Sequence, residues 1–181
     1  MPQYLFPKRY ADFVQRLRVP CGFLLLIAFA VFSQPSRLSL IVGIPLSVCG
    51  LLLRGWAAGH LAKNKDLAVS GPYSYLRNPL YAGTLITAAG LVVGARSWVL
   101  LPIFAAVFLL VYLAAIEQEE QHLRILFVGY AEYADKVHRF MPIRKWPLSG
   151  PGFAFSLYWK NEEYKASLGF LVAVGWLIWK L

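Results

Sequence analysis

The chain has 181 residues, of which 59 % are apolar and 15 % charged, and its mean hydropathy is +0.55. Soluble domains carry roughly 25 % charged residues, so an ordinary soluble domain is excluded, and the aliphatic and aromatic content excludes a disordered chain. A net charge of +9 would suit nucleic acid, but in so apolar a chain basic excess marks loops that face anionic lipid, and no nucleic-acid partner is expected.

The first apolar segment runs from about Val19 to Phe32, short of the roughly 20 residues needed to cross a bilayer. It lengthens backwards through Phe13 and Val14 if Arg16 and Arg18 snorkel to the interface. A secretory signal ending at Ala28-Phe29-Ala30 is the alternative. Only Ser33-Gln34-Pro35-Ser36-Arg37 separates this segment from the next, which suits a tight helical hairpin better. Further apolar segments follow at Leu38–Gly59, Pro79–Gly94, Trp98–Ile116 and Ala166–Leu181. The expected fold is therefore all-α: one membrane domain over residues 1–181, with about five transmembrane helices near 13–33, 38–60, 79–94, 97–117 and 165–181. Gly43, Gly50, Gly55 and Gly59 are spaced along the second segment, and Gly83, Gly90 and Gly94 along the third. Small residues at such spacing let helices approach closely in lipid, although scattered glycines of an ordinary membrane helix read the same way. Cys21 and Cys49 both sit in apolar runs, so no disulfide framework and no metal site is expected.

Lys and Arg number four in residues 1–18, three in 60–78 and seven in 117–165, and all nine acidic residues fall in those segments. The positive-inside rule then places the N-terminus and both loops in the cytoplasm. Two polar clusters lie on that side. In the first, Gly71-Pro72 signals a turn, Pro79 suits the first turn of the third helix, and Asn78 is placed to cap it. A helix N-terminus beside Arg77 would attract a carboxylate or another anion; a capped loop with interfacial tyrosines is the plainer reading. The second cluster, Glu117-Gln118-Glu119-Glu120-Gln121-His122, is expected at the C-terminus of the fourth helix. Carboxylates there oppose the macrodipole, so cations or a positively charged ligand should compensate. Helical spacing sets Glu117 and Glu120 on one face and Glu119 about 100° away. A solvated charged face is the bland alternative. Downstream, Leu123 to Phe140 interleaves basic and aromatic residues in the manner of a helix lying on the membrane surface. His60 and His138 read as interfacial residues.

Taken together, Val69-Ser70-Gly71-Pro72-Tyr73-x-x-x-Arg77-Asn78-Pro79-x-Tyr81-x-Gly83, Glu119-Glu120-x-x-Leu123, Tyr130-x-x-Tyr133, Val137 and Arg139-x-x-Pro142 resemble the signature of the isoprenylcysteine carboxyl methyltransferase family. These are integral membrane enzymes related to the phospholipid N-methyltransferases, and the resemblance covers roughly residues 40–145. It implies S-adenosylmethionine as cofactor and a lipophilic or lipid-linked acceptor arriving from the bilayer. The cofactor would be held at the cytoplasmic face by Leu67, Ala68 and Val69, by Tyr73, by Arg77, Asn78, Pro79 and Tyr81, and by Glu119 and Glu120. The physics agrees: the cofactor's carboxylate wants a helix N-terminus or an arginine, and its cationic end wants carboxylates. No Gly-rich strand-to-helix fingerprint occurs, against a soluble nucleotide-binding domain.

Two departures bear on the acceptor. Asn78 stands where the family often has His, and Ala114 or Ala115 stands where the prenylcysteine enzymes carry an arginine, which speaks against carboxyl methylation of a prenylated protein. A one-residue slip between the acidic pair and Tyr130-x-x-Tyr133 leaves open whether Gln118 or Glu119 takes the aligned role. Arg54 and His122 are the candidates for groups near the nucleophile, although Arg54 reads more readily as a snorkelling anchor. A phospholipid N-methyltransferase-like enzyme and a non-enzymatic membrane transporter or assembly protein are the rival readings.

Overall fold

A computed structural model describes residues 7–143, 145–147 and 150–181, and among them every regular element is helical. The helices are α1 (Lys8–Phe32), α2 (Arg37–Ala58), α3 (Pro79–Ala95), α4 (Leu100–Leu126), α5 (Tyr130–Lys136), α6 (Phe155–Lys160) and α7 (Tyr164–Trp179). Helices α2 and α4 are long and apolar enough to cross a bilayer; the apolar stretches Pro20–Phe32, Pro79–Ala95 and Tyr164–Trp179 are shorter. The snorkelling expected of the Arg18 side chain lies outside the described residues.

Local sequence sets the helix ends. Ser36 opens α2 through a reciprocal capping box, its Oγ accepting from the Ser39 amide at 3.2 Å while the Ser39 Oγ accepts from the Ser36 amide at 2.9 Å. Pro79, with no N–H to lose, begins α3. Within α4 the backbone widens into one π-helical turn at Phe108–Tyr112, and the Tyr10 hydroxyl of α1 donates to the Leu110 carbonyl there at 2.8 Å.

Glycines bring α2 and α3 together. A Cβ added to Gly43 would stand 2.5 Å from the Gly90 carbonyl oxygen, and one on Gly90 2.5 Å from the Ser47 amide nitrogen. Ser47 Oγ donates to the Thr87 carbonyl at 2.9 Å and Ser39 Oγ to that of Gly94 at 2.9 Å, so hydrogen bonds reinforce the close approach. Gly50 and Gly83 share this seam, whereas Gly55 and Gly59 face Tyr158 and Phe153 of the C-terminal segment.

The α1–α2 connection is as short as expected, but α1 does not pair along α2 as a hairpin. With the glycine seam of α2 taken by α3, α1 instead lies along α4, where Val14 packs with Val111 and Ala114. Leu177 of α7 packs with Leu40, Ala95 and Leu100, and Lys180 Nζ donates to the carbonyls of Ala30 and Ser33, both at 2.9 Å, at the end of α1. Cys21 and Cys49 are free thiols. Phe23, Leu24, Ile27, Leu38, Ile41 and Leu52 project outward, a surface suited to lipid.

Two expectations are corrected. Helix α4 continues to Leu126, so Glu117 to His122 lie inside it and not at its C-terminus. The stretch after it is not one surface helix. The chain extends at Phe127 and re-forms only the two-turn α5, whose Tyr130 and Tyr133, with Val137 just beyond, are buried against Leu67, Val69 and Trp146. The aromatic face has protein to pack on, so it turns inward.

Candidate active site

The loop between α2 and α3 is folded by its own polar groups. Ser70 Oγ donates to the Pro151 carbonyl at 2.8 Å and therefore accepts from His60, whose Nδ1 lies 3.0 Å away. His60 is thus a buried strut and not the interfacial residue expected, while the His138 side chain is exposed. Gly71 has φ +58°, and a Cβ there would strike the His60 ring at 2.5 Å. The 3-10 turn Gly71–Ser74 follows and is fixed by Ser74 Oγ donating to the Gly71 carbonyl at 2.7 Å. From α5 the Tyr133 hydroxyl donates to the Tyr73 carbonyl at 2.7 Å, and the Arg77 amide donates to the His138 carbonyl at 2.9 Å.

Glu120 joins the two halves. Its buried carboxylate accepts from Asn78 Nδ2 at 2.7 Å and from Arg139 Nε and Nη2 at 3.1 and 2.7 Å, with Arg77 Nη1 at 3.6 Å. Asn78 occupies the N-cap position of α3 but makes no side-chain cap, contrary to expectation, because its amide is turned to Glu120. Cations from outside α4 thus compensate the acidic cluster, as its charge demands. Hydrogen bonding to Glu120 holds the Arg139 guanidinium yet more firmly protonated.

Glu119 points elsewhere. It is exposed and accepts from the Tyr81 hydroxyl at 2.9 Å. It borders a small cavity of about 90 Å³, open on one side. One wall is Leu67, Ala68 and Tyr73 of the loop; the rim of α3 gives Arg77, Asn78, Pro79 and Tyr81; α4 gives Glu119 and His122. Val69 and Glu120, both expected to hold cofactor, lie behind this surface, Val69 in the Tyr130 cluster and Glu120 in its ion-pair network. Gln118 is not among the lining residues.

Phe127, Tyr130 and Tyr133, which the sequence did not assign to the cofactor, complete the apolar wall; for the two tyrosines the Tyr130-x-x-Tyr133 spacing of the motif was the available signal. The phenols of Tyr73, Tyr130 and Tyr133 are all pushed up, burial being the main cause, with the charge of Glu119 next for Tyr73 and of Glu120 next for Tyr130. They stay neutral hydrogen-bonding groups. The buried Nε of Arg77 has no hydrogen-bond partner among the described residues.

Arg54 is absorbed differently. Its Nε and Nη2 meet Glu163 Oε1 and Oε2 at 2.5 and 2.9 Å, and Nη1 reaches Thr84 Oγ1. Glu163 comes from the turn before α7, 109 residues away, and nothing in the local pattern around Arg54 announces it.

The family model described as phospholipid methyltransferase matches residues 46–128, the stretch that contains the loop, the acidic turn and the glycine seam apart from Gly43. Among curated proteins, the chain is 36 % identical over 112 residues to the cobalt-zinc-cadmium resistance protein CzcN of Cupriavidus metallidurans, covering 60 % of this chain and 50 % of that one. It is 32 % identical over 103 residues to the nickel-cobalt-cadmium resistance protein NccN of Alcaligenes xylosoxydans xylosoxydans, covering 56 % and 47 %. Over 143 residues it is 29 % identical to the protein-S-isoprenylcysteine O-methyltransferase of Schizosaccharomyces pombe, covering 75 % and 60 %. The chain therefore spans about half the length of the first two relatives. No solved structure matches it. The family match and the fission-yeast relative support the resemblance that the motifs carry to an isoprenylcysteine carboxyl methyltransferase-like family.

Proposed function

We propose that this chain is an integral, multi-pass membrane methyltransferase that takes S-adenosylmethionine from the cytoplasm into the cavity between the loop and α4 and methylates a lipophilic acceptor. The observation that carries this reading is the convergence of the two motif blocks on one cavity, joined by the Asn78–Glu120 and Tyr81–Glu119 hydrogen bonds of 2.7 and 2.9 Å.

The lining suits such a cofactor. Glu119 offers a carboxylate to a cationic group, the positive charge of Arg77 at the rim suits a carboxylate, and Tyr73, Phe127 and Tyr130 offer aromatic walls to a purine. When bound, S-adenosylmethionine supplies an electrophilic methyl on a sulfonium. The chain's own contribution is alignment and exclusion of water. Glu119 orients the donor; Tyr81 fixes Glu119; His122, exposed at the rim, is placed to take a proton from an amine or hydroxyl acceptor. Arg54, neutralised by Glu163, lacks a free charge for an acceptor carboxylate. Together with alanine at both Ala114 and Ala115, this favours an acceptor other than a prenylcysteine carboxylate. The five-span arrangement and the cytoplasmic side of the cavity belong to the same proposal, from the basic loops and the positive-inside rule.

Calorimetric titration of the detergent-solubilised protein with S-adenosylmethionine tests binding, and release of labelled methyl into extracted membrane lipids tests turnover. Binding that is lost in Glu119→Ala, with transfer to a lipid fraction, is expected. Absence of binding at millimolar cofactor refutes the enzyme reading, and binding without transfer leaves only a cofactor-binding protein.

A further inference from the structure

A second cavity, of about 260 Å³, lies between the residues that follow α2 and the turn that joins α6 to α7. It shares Leu61 and Lys63 with the methyltransferase cavity, so the two lie on either side of one stretch of chain. Its walls are locked together: Asn161 Nδ2 donates to the carbonyls of Ala58 and Leu61, both at 2.9 Å, across the gap between the segments. Asn64 and Glu162 take left-handed conformations, with φ of 58° and 56°, at the bends of the two walls.

The charge in this cavity is one-sided. Lys63, Lys65 and Lys160 line it, and the single carboxylate among the lining residues, Glu162, is engaged by Lys165 at 2.6 Å. Three lysines on opposed walls call for an anion with more than one oxygen, such as a phosphate ester. The surroundings say where that phosphate comes from. The apolar helices α2 and α7 end and begin at the cavity, at Ala58 and Tyr164. The adjoining α6 exposes Phe155 and Trp159, and Trp159 stacks on Tyr164 with centroids 4.8 Å apart. Exposed aromatics beside lysines at the ends of apolar helices mark the headgroup level of a bilayer, where lipid phosphates lie. Leu61 and Leu157 in the lining provide apolar contact beneath the charges.

We propose that this cavity binds the phosphate headgroup of an anionic phospholipid. The site is separate from the cofactor reading and stands or falls without it.

The test uses the full chain in detergent, titrated with phosphatidylglycerol or phosphatidylcholine and read by native mass spectrometry as the fraction carrying one lipid. Phosphatidylglycerol is expected to be retained preferentially. Lys65→Gln/Lys160→Gln should weaken its retention by about thirtyfold, at roughly one kcal/mol per lysine, with no change in the lipid-free melting temperature. The equal charge loss Arg9→Gln/Arg124→Gln, at exposed positions away from the cavity, should leave retention as it is. Equal retention of the two lipids overturns the proposal, as does undiminished retention in the lysine variant or an equal loss in the arginine variant. Displacement of phosphatidylglycerol by millimolar inorganic phosphate would assign the cavity to a soluble phosphate and overturn the lipid assignment.

Discussion

Adjacent glutamates in one motif should fail in different ways when each is replaced by alanine. Glu120 is buried, accepts three hydrogen bonds from Asn78 and Arg139, and has Arg77 at 3.6 Å. Removing its carboxylate leaves Arg77 and Asn78 buried without their anion. Breaking a buried pair in this way costs about 3–5 kcal/mol. At roughly 2–4 °C per kcal/mol for a chain of this size, Glu120→Ala should lower the melting temperature by about 6–20 °C. Glu119 is exposed and accepts a hydrogen bond of 2.9 Å from the Tyr81 hydroxyl. Its replacement should cost about 1 kcal/mol, the worth of one hydrogen bond, while removing the carboxylate that faces the cavity. The assay pairs thermal unfolding in detergent, followed by far-ultraviolet circular dichroism, with calorimetric titration of S-adenosylmethionine. The expected pattern is a stable Glu119→Ala that does not bind and a destabilised Glu120→Ala. A Glu120→Ala variant that melts with the wild type would refute the assignment of Glu120 as the joint between the halves. Wild-type affinity in Glu119→Ala would remove Glu119 from the site.

Two further outcomes follow from the polar network. Arg54→Ala leaves the buried Glu163 without its bidentate partner and should destabilise by about 3 kcal/mol, whereas the paired replacement Arg54→Met/Glu163→Met should recover most of that loss; unfolding of both variants checks it, and an equal loss in the two would refute the pairing. Alkali should also loosen the fold. An unfolded phenol releases its proton near 10, but Tyr73, Tyr130 and Tyr133 hold theirs to higher pH when folded. Between those limits the folded state binds more protons, so stability is full below pH ~10 and falls as pH rises through the folded values. Melting temperatures from pH 8 to 11 measure the slope, and Tyr73→Phe/Tyr130→Phe should make it shallower.

The helices and their close approach were legible because each rests on local pattern: apolar runs for α2 to α4 and α7, and glycine spacing at Gly43, Gly50, Gly83 and Gly90. The loop and the acidic turn were legible as partners because the motif names both. Three features escaped. The roles of Glu119 and Glu120 divide by about 100° of helix rotation, and which of the two faces inward depends on where Arg77 and Arg139 arrive. Asn78 has the identity and position of a cap, yet its side chain is taken by the buried carboxylate of Glu120, a charged acceptor. Glu163 binds Arg54 from beyond the motif region, and charge type alone cannot pick one acidic residue from nine.

Family resemblance and cavity do not share the same boundaries, and the difference has a physical reason. The matched region ends at residue 128, yet Tyr130 and Tyr133 lie beyond it, as does the Arg139 that clamps Glu120. Without them the loop would lose the Tyr133 hydrogen bond that fixes Tyr73, and Glu120 would keep only Asn78 and the more distant Arg77. A carboxylate in that state is a poor anchor, because burial without charge compensation disfavours it. The segment after α4 therefore serves as a back wall: it neutralises one glutamate of the pair and packs aromatic rings beneath the loop. Glu119 is left turned to the open side, where a cation can reach it. The fold thus divides the acidic pair, burying Glu120 in its ion-pair network and leaving Glu119 exposed, the division on which the proposed cofactor site rests.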